Sequence, residues 1–303
     1  MSVSSTALIS HISRGSLHDG AGIRTVVYFM GCGLRCAWCH NPETFTASPT
    51  LMHHPVKCIG CGLCVRVCPA HHLLRDGETV LIREGCTVCG KCAEACPTGA
   101  LSLCGEAMTA EDVMKIVRKD RHYYDESGGG VTLSGGECLL HPDFCADLLR
   151  TCREEGIHTT LESALFVPTE NLTGVLPLAD HLFADVKLPD GERHKQWTGQ
   201  DNGLILRNLA VALSSGVPVT VRIPLIPTVN DAPADMDAFA SLLNGLGVER
   251  VELLRYNYLA ESKYASLGQA YTSFGDAAQS DARMALLAER LRAGAPGSSV
   301  SYR

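Results

Sequence analysis

Two hydrophobic periodicities alternate along most of the chain. Strand-like stretches at residues 25–30, 130–134, 158–163, 181–187, 218–224 and 250–256 predict strands. Helical spacing of apolar residues falls between them, near 109–121, 142–155, 168–177, 204–215 and 233–245, with a last helix near 276–293. Thr109 with Asp112 has the form of a capping box, Pro142 opens a helix, and Gly156 and Gly216 stand where helix C-terminal glycines are expected. Strand followed by helix six times predicts an α/β fold, a partial (β/α)6 parallel barrel. A barrel short of eight units is open on one side, which suits a macromolecular substrate.

The alternation stops between residues 58 and 104, where cysteines concentrate. Of 15 cysteines in 303 residues, eleven fall into three tight runs: Cys32, Cys36 and Cys39; Cys58, Cys61, Cys64 and Cys68; Cys86, Cys89, Cys92 and Cys96. Two-residue gaps hold thiolates around one small inorganic centre and are poor disulfide geometry. The opening Met-Ser-Val-Ser-Ser-Thr lacks the basic-then-apolar layout of a secretory signal, and no apolar run approaches the roughly 20 residues of a membrane span. A hydrophobic content of 46% excludes a disordered chain, and a net charge of −7 gives no electrostatic case for nucleic acid or an anionic membrane. The expectation is a cytoplasmic metal-binding protein.

Cys58-Ile-Gly-Cys61-Gly-Leu-Cys64-Val-Arg-Val-Cys68-Pro69 and Cys86-Thr-Val-Cys89-Gly-Lys-Cys92-Ala-Glu-Ala-Cys96-Pro97 each fit the bacterial ferredoxin spacing C-x2-C-x2-C-x3-C-P. In that arrangement the fourth cysteine of each run ligates the other cluster. Cys58, Cys61, Cys64 and Cys96 are therefore assigned to one [4Fe–4S] centre, and Cys86, Cys89, Cys92 and Cys68 to a second. Structural zinc needs only four cysteines in two pairs, so the additional step and the Cys-Pro ending in both copies favour iron–sulfur. Residues 58–104 read as a ferredoxin-like insert that carries electrons. It interrupts a barrel domain made of residues 1–57 and 105–303.

Cys32, Cys36 and Cys39 are spaced C-x3-C-x2-C, which holds three irons of a cubane and leaves the fourth without a protein ligand. With Trp38 before the third cysteine, the preceding His18-Asp19-Gly20-Ala21-Gly22-Ile23-Arg24-Thr25, and Ser134-Gly135-Gly136-Glu137 downstream, the chain resembles the radical S-adenosylmethionine superfamily. Within it, the chain resembles the activating enzymes of glycyl radical enzymes. The resemblance implies that the open iron of the Cys32/Cys36/Cys39 cluster binds the amino and carboxylate groups of S-adenosylmethionine. It implies cofactor contacts from Trp38, from Gly135, Gly136 and Glu137 around the methionyl amino group, from Glu162 and Ser163, from Asp185 and Lys187, and from Arg222. The family's acidic groups also hold a monovalent cation in some members. Asn257 stands where the family usually has histidine, Ala21 where it commonly has proline, and Cys138 where proline often follows the Glu. Each candidate lies at the carboxyl end of its strand, where barrel enzymes place chemistry.

The implied function is activation of a partner glycyl radical enzyme. S-adenosylmethionine is cleaved reductively, and the 5′-deoxyadenosyl radical takes a glycine hydrogen. An anaerobic setting and a flavodoxin or ferredoxin-type electron donor follow. One rival is a radical enzyme acting on a small molecule through an auxiliary cluster, but eight insert cysteines leave no auxiliary iron open. Another is a non-catalytic electron carrier, which has no use for an open iron or for the Gly-Gly-Glu segment. Cys104, Cys138, Cys145 and Cys152 are given no metal role. His40 is the one histidine that draws attention, and Asp19 and Arg24 either hold substrate backbone or, for Asp19, cap a turn.

Overall fold

The computed structural model describes residues 5–68, 72–75 and 78–303. Pro69, the first of the two prolines in the Cys-Pro endings, lies outside the described residues. In chain order the strands are β1 (Thr6–Ser16), β2 (Arg24–Phe29), β3 (Thr50–His53), β4 (His72–Arg75), β5 (Glu78–Leu81), β6 (Leu101–Cys104), β7 (Glu106–Thr109), β8 (Gly130–Gly135), β9 (His158–Ser163), β10 (His181–Asp185), β11 (Val219–Pro224), β12 (Arg250–Leu254) and β13 (Ser299–Tyr302). Nine of them form one sheet in the order β13-β12-β11-β10-β9-β8-β2-β1-β7. The seven strands from β13 to β2 run parallel, and β1 pairs antiparallel with both β2 and β7.

All six expected strands are present; β8 to β12 each lead into a helix, whereas β2 leads into the cysteine loop and the cysteine-rich region before the helix Ala110–Val117. Side chains such as Val27, Leu133, Leu161, Leu182, Val221 and Leu253 are fully buried between the sheet and its neighbours. The expected helix over 109–121 is broken: Ala110–Val117 passes through a 3-10 turn (Arg118–Asp120) into Arg121–Ser127. Its start is a true capping box, with Asp112 N donating to Thr109 Oγ1 and Thr109 N to Asp112 Oδ2, both at 3.2 Å. The last helix, Asp281–Gly294, begins later than expected because Ser280 caps it, accepting from Arg283 N. Among the described residues, no helix is long and apolar enough to cross a membrane.

Strands β3 and β6 pair antiparallel, Thr50 with Cys104 through His53 with Leu101, and so bracket the cysteine-rich region. Within it, Gly62 and Gly90 each take a left-handed φ (69° and 80°) between the second and third cysteine of a run, and each opens a short helix, Leu63–Val67 and Lys91–Glu94. Cys64 and Cys92 pack with Leu51 and Leu101 into a small core of their own, with Cys68, Cys86 and Cys96 against it.

Candidate functional site

The carboxyl ends of the parallel strands surround a cavity of about 610 Å³. A space of this size holds a cofactor-sized molecule. Cys32, Cys36 and Cys39 reach it from the loop after β2, Gly135 and Gly136 from the end of β8, and Glu162 and Ser163 from β9. Asp185 and Lys187 reach it from β10, Arg222 from β11, and Trp38 and Asn257 from the surrounding loops.

The cysteine loop is held from two sides. Arg35 N donates to Thr198 O at 2.7 Å and Ala37 N to Trp197 O at 3.0 Å, clamping it to the helix Gly191–Thr198. Gly31 N donates to Thr44 O at 2.9 Å. Two thiols accept backbone hydrogens, Cys32 Sγ from Leu34 and Cys39 Sγ from Asn41, each at 3.4 Å. Burial, then the charge of Glu137, pushes the Cys32 thiol up to about 12, and burial raises Cys36 and Cys39 as well. Such thiols keep their protons until a metal displaces them.

The two glycines after Ser134 close the other side. Gly136 N donates to Phe29 O at 2.9 Å and Glu137 N to Gly31 O at 2.8 Å, so the segment is stitched to the start of the cysteine loop. Gly135 has φ +114°, and a Cβ there would lie 2.1 Å from Phe29 N; at Gly136 it would lie 2.2 Å from Gly31 O. No side chain fits between these backbones. Gly136→Val is therefore expected to push the cysteine loop out of place, losing about four irons per chain together with S-adenosylmethionine binding. Iron analysis and equilibrium dialysis read the two losses, and full iron with normal binding would contradict this packing.

Glu137 departs from the expectation of a ligand to the methionyl ammonium. Its carboxylate is buried behind the cavity wall, accepting from Ser163 Oγ at 2.8 and 2.9 Å, Ala164 N at 3.0 Å and Leu139 N at 3.2 Å. Burial outweighs these donors and raises its pKa to about 7. It ties β8 to β9, leaving peptide groups of the glycines to face the cavity.

The charged wall is fully paired. Arg222, buried over the Phe183 ring at 3.3 Å, donates to Glu162 Oε1 at 2.7 Å, Glu252 Oε2 at 2.8 Å and His18 O at 3.1 Å. Glu162 also accepts from Ser134 Oγ at 2.7 Å. Burial opposes its charge, yet Arg222 and Ser134 hold its pKa below the usual range. Lys187 Nζ sits 2.9 Å from Asp185 Oδ2. Burial disfavours its charge, but Asp185 raises its pKa above the ordinary lysine value. A cation beside three thiols in a carboxylate-lined cavity suits both a thiolate cluster and a zwitterionic ligand.

Asn257 stands at the rim. Its side-chain oxygen accepts from Leu259 N at 3.0 Å and its carbonyl from His40 Nε2 at 2.7 Å, which gives His40 a part in joining the cysteine loop to this segment. Next to it, Lys263 Nζ donates to Asn41 Oδ1 at 2.7 Å and to the buried Glu43 at 2.6 Å. Asp19 and His18 also line the cavity, and Arg24 is buried beneath them, donating to Ala21 O and to Thr132 Oγ1, which in turn donates to Asp19 O. Sequence reasoning missed Tyr28, Tyr256 and Arg303 in the cavity wall. Arg303, the last residue, pairs with Glu252 at 3.3 Å, a contact that no local pattern announces.

In the insert, a second, smaller cavity is lined by Cys58, Cys61, Cys64 and Cys96, the fourth coming from the other run. Cys92 has Cys68 and Cys86 as its neighbouring thiols. Among the described residues, no three His, Cys, Asp or Glu side chains converge as they do around a single metal ion. Cys138, Cys145 and Cys152 are buried and Cys104 half-buried, and their sulfurs contact backbone oxygens or methionine sulfurs.

Residues 26–240 match the family model of the radical SAM superfamily, and the chain belongs to that superfamily. Such enzymes use a [4Fe–4S] cluster and S-adenosylmethionine, and three thiols facing a glycine-walled cavity fit both. Within the superfamily it falls among the activating enzymes of glycyl radical enzymes. It is 41% identical over 280 residues to the (2S)-3-sulfopropanediol dehydratase activating enzyme of Klebsiella oxytoca, covering 89% of this chain and 88% of that one. To the indoleacetate decarboxylase activating enzyme of Tractidigestivibacter scatoligenes it is 40% identical over 300 residues, 95% of each. Among solved structures, a radical SAM methyltransferase from Sphaerobacter thermophilus matches 92% of this chain and 66% of its own with a TM-score of 0.55; at 15% identity this shows the fold alone.

Proposed function

We propose that this enzyme activates a glycyl radical enzyme through the Cys32/Cys36/Cys39 site. The observation that carries the reading is that three thiols and a backbone-only glycine wall face one cavity, in a chain about 40% identical to activating enzymes along nearly its whole length. Bound together, the cluster and S-adenosylmethionine supply a one-electron cleavage that yields methionine and a 5′-deoxyadenosyl radical, which takes a hydrogen atom from a glycine Cα of the partner. Cys32, Cys36 and Cys39 would hold the cluster, and the peptide groups of Gly135 and Gly136 would accept the methionyl ammonium. Lys187 would balance the methionyl carboxylate. Arg222, locked between Glu162 and Glu252, keeps those carboxylates in place and holds Glu162 ionised.

The sheet reads as an incomplete barrel, residues 1–57 and 105–303, with residues 58–104 as a ferredoxin-like insert. Two further [4Fe–4S] clusters would sit there, one on Cys58, Cys61, Cys64 and Cys96 and one on Cys86, Cys89, Cys92 and Cys68. Convergence of Cys58, Cys61 and Cys64 with Cys96 on one cavity supports the crossed ligation. The electron donor is read as a flavodoxin or ferredoxin-type protein, and the setting as the anaerobic cytoplasm.

Anaerobically reconstituted protein is expected to hold about twelve irons, three cubanes of four. Iron and sulfide analysis tests the count; about four irons with bound zinc would remove the insert clusters. The activity is tested by incubating reduced enzyme, S-adenosylmethionine and a candidate glycyl radical enzyme, then recording 5′-deoxyadenosine and the electron paramagnetic resonance doublet of a glycyl radical. Cofactor cleavage coupled to a modified small molecule, with no protein radical, would favour the small-molecule reading.

A further inference from the structure

We propose that the outer face of the insert around Cys58, Cys61 and Cys64 is the docking surface for an acidic one-electron carrier protein. This rests on the reading of residues 58–104 as an iron–sulfur insert. Large apolar side chains cluster there in solvent: Val56 is 96% exposed, Ile59 67%, Val67 44% and Leu63 37%. Ile59 and Leu63 line the same small cavity as Cys58, Cys61, Cys64 and Cys96, so the apolar surface encloses the thiols. Leu63 and Val67 share one face of the short helix Leu63–Val67. Four exposed apolar residues within twelve positions form the kind of patch that marks an interaction site.

The charge around this patch selects the occupant. From Thr44 to Arg75 the sequence contains no Asp or Glu, although the chain as a whole carries −7. The cations of this stretch include Lys57 and Arg66, both exposed among the apolar residues. Lys57 and Arg66 beside an apolar centre complement a carrier whose redox group is ringed by carboxylates, and such complementarity speeds encounter more than it strengthens binding. Cys61 is itself exposed, so a carrier seated here would approach the thiols directly. The insert is in turn fixed to the barrel beside the catalytic loop. Arg83 donates to Leu51 O at 2.7 Å and to Ser266 O at 2.6 Å. Electrons accepted on the outer face would thus enter a unit already joined to the active-site side.

The experiment uses anaerobically reconstituted full-length enzyme, an acidic flavodoxin in its hydroquinone form, and dithionite as a small reductant. Stopped-flow bleaching of the cluster absorbance gives the reduction rate. At low ionic strength, Lys57→Glu/Arg66→Glu is expected to slow reduction by flavodoxin on the order of tenfold or more, and to flatten the decline of rate with salt. Val56→Asp should slow it as well. Iron content, midpoint potentials and dithionite rates should match the wild type. If the variants keep wild-type flavodoxin rates, if dithionite slows equally, or if flavodoxin reduces wild type no faster than the double variant, the docking proposal is overturned. Activation that fails with dithionite while flavodoxin reduction is unaffected would assign the face to the glycyl radical enzyme instead. A wild-type iron count of about four would defeat the insert reading itself, an outcome distinct from any of these.

Discussion

Cys36→Ala protein, and equally Cys32→Ala and Cys39→Ala, is expected to retain about eight irons per chain and to release no 5′-deoxyadenosine with any reductant. The three thiols belong to a loop clamped by Gly191–Thr198 on one side and by the glycine segment on the other, so they reach the cavity as a set. With one thiol missing, a cubane keeps two protein ligands and is no longer held with a single open iron. The insert should be unaffected, because Cys64 and Cys92 pack in a separate core with Leu51 and Leu101. Chromatography for 5′-deoxyadenosine and iron analysis on the same preparation give the answer. Cleavage persisting in all three variants would mean that the chemistry lies elsewhere in the chain.

Cys61→Ala and Cys89→Ala should show the opposite split. Both side chains are exposed at the surface of the insert, far from the packing that shapes the large cavity. These variants are expected to bind and cleave S-adenosylmethionine at near wild-type rates with a small strong reductant, yet to form the partner's glycyl radical on the order of tenfold more slowly with a protein donor. On the proposed reading eight thiols would hold eight irons and leave none open, so the insert would carry electrons and do no chemistry on the cofactor. Electron paramagnetic resonance of the partner radical with each reductant separates the outcomes. Loss of cofactor binding with the first cluster intact, or unchanged rates with the protein donor, would make the insert a structural or docking element.

The parallel strands were legible because each carries buried apolar residues at a strand-like spacing, as Val131 and Leu133 or Val221 and Ile223 show. Strand β1, half exposed and interrupted by Ser10, His11 and Ser13, has no such run, and β7 and β13 are four residues each. The ferredoxin-like spacing pairs Cys58 with Cys96 across the two runs, and both residues line one small cavity. Glu137 shows what motif reading lacks. The spacing Gly-Gly-Glu places a carboxylate beside the site but does not say which way it points, and the demand of Ser163 Oγ, Ala164 N and Leu139 N for an acceptor turns it inward. Tyr256 and Arg303 entered the wall through long-range contacts that leave no local trace.

The helix Glu261–Leu267 touches both halves of the molecule: Lys263 grips Asn41 and Glu43 at the catalytic loop, and the Ser266 carbonyl accepts from Arg83 of the insert. Inserted units ordinarily move on their connections unless an interface fixes them. Here a third piece of chain, far off in sequence, bolts the insert down. Electron tunnelling falls off steeply with separation, so on the proposed relay a fixed mount would turn the tempo of activation into a matter of geometry. A swinging tether would make it depend on how often the two parts happened to meet. Loosening Lys263 or Ser266 would thereby broaden the spread of transfer times while leaving every thiol in place.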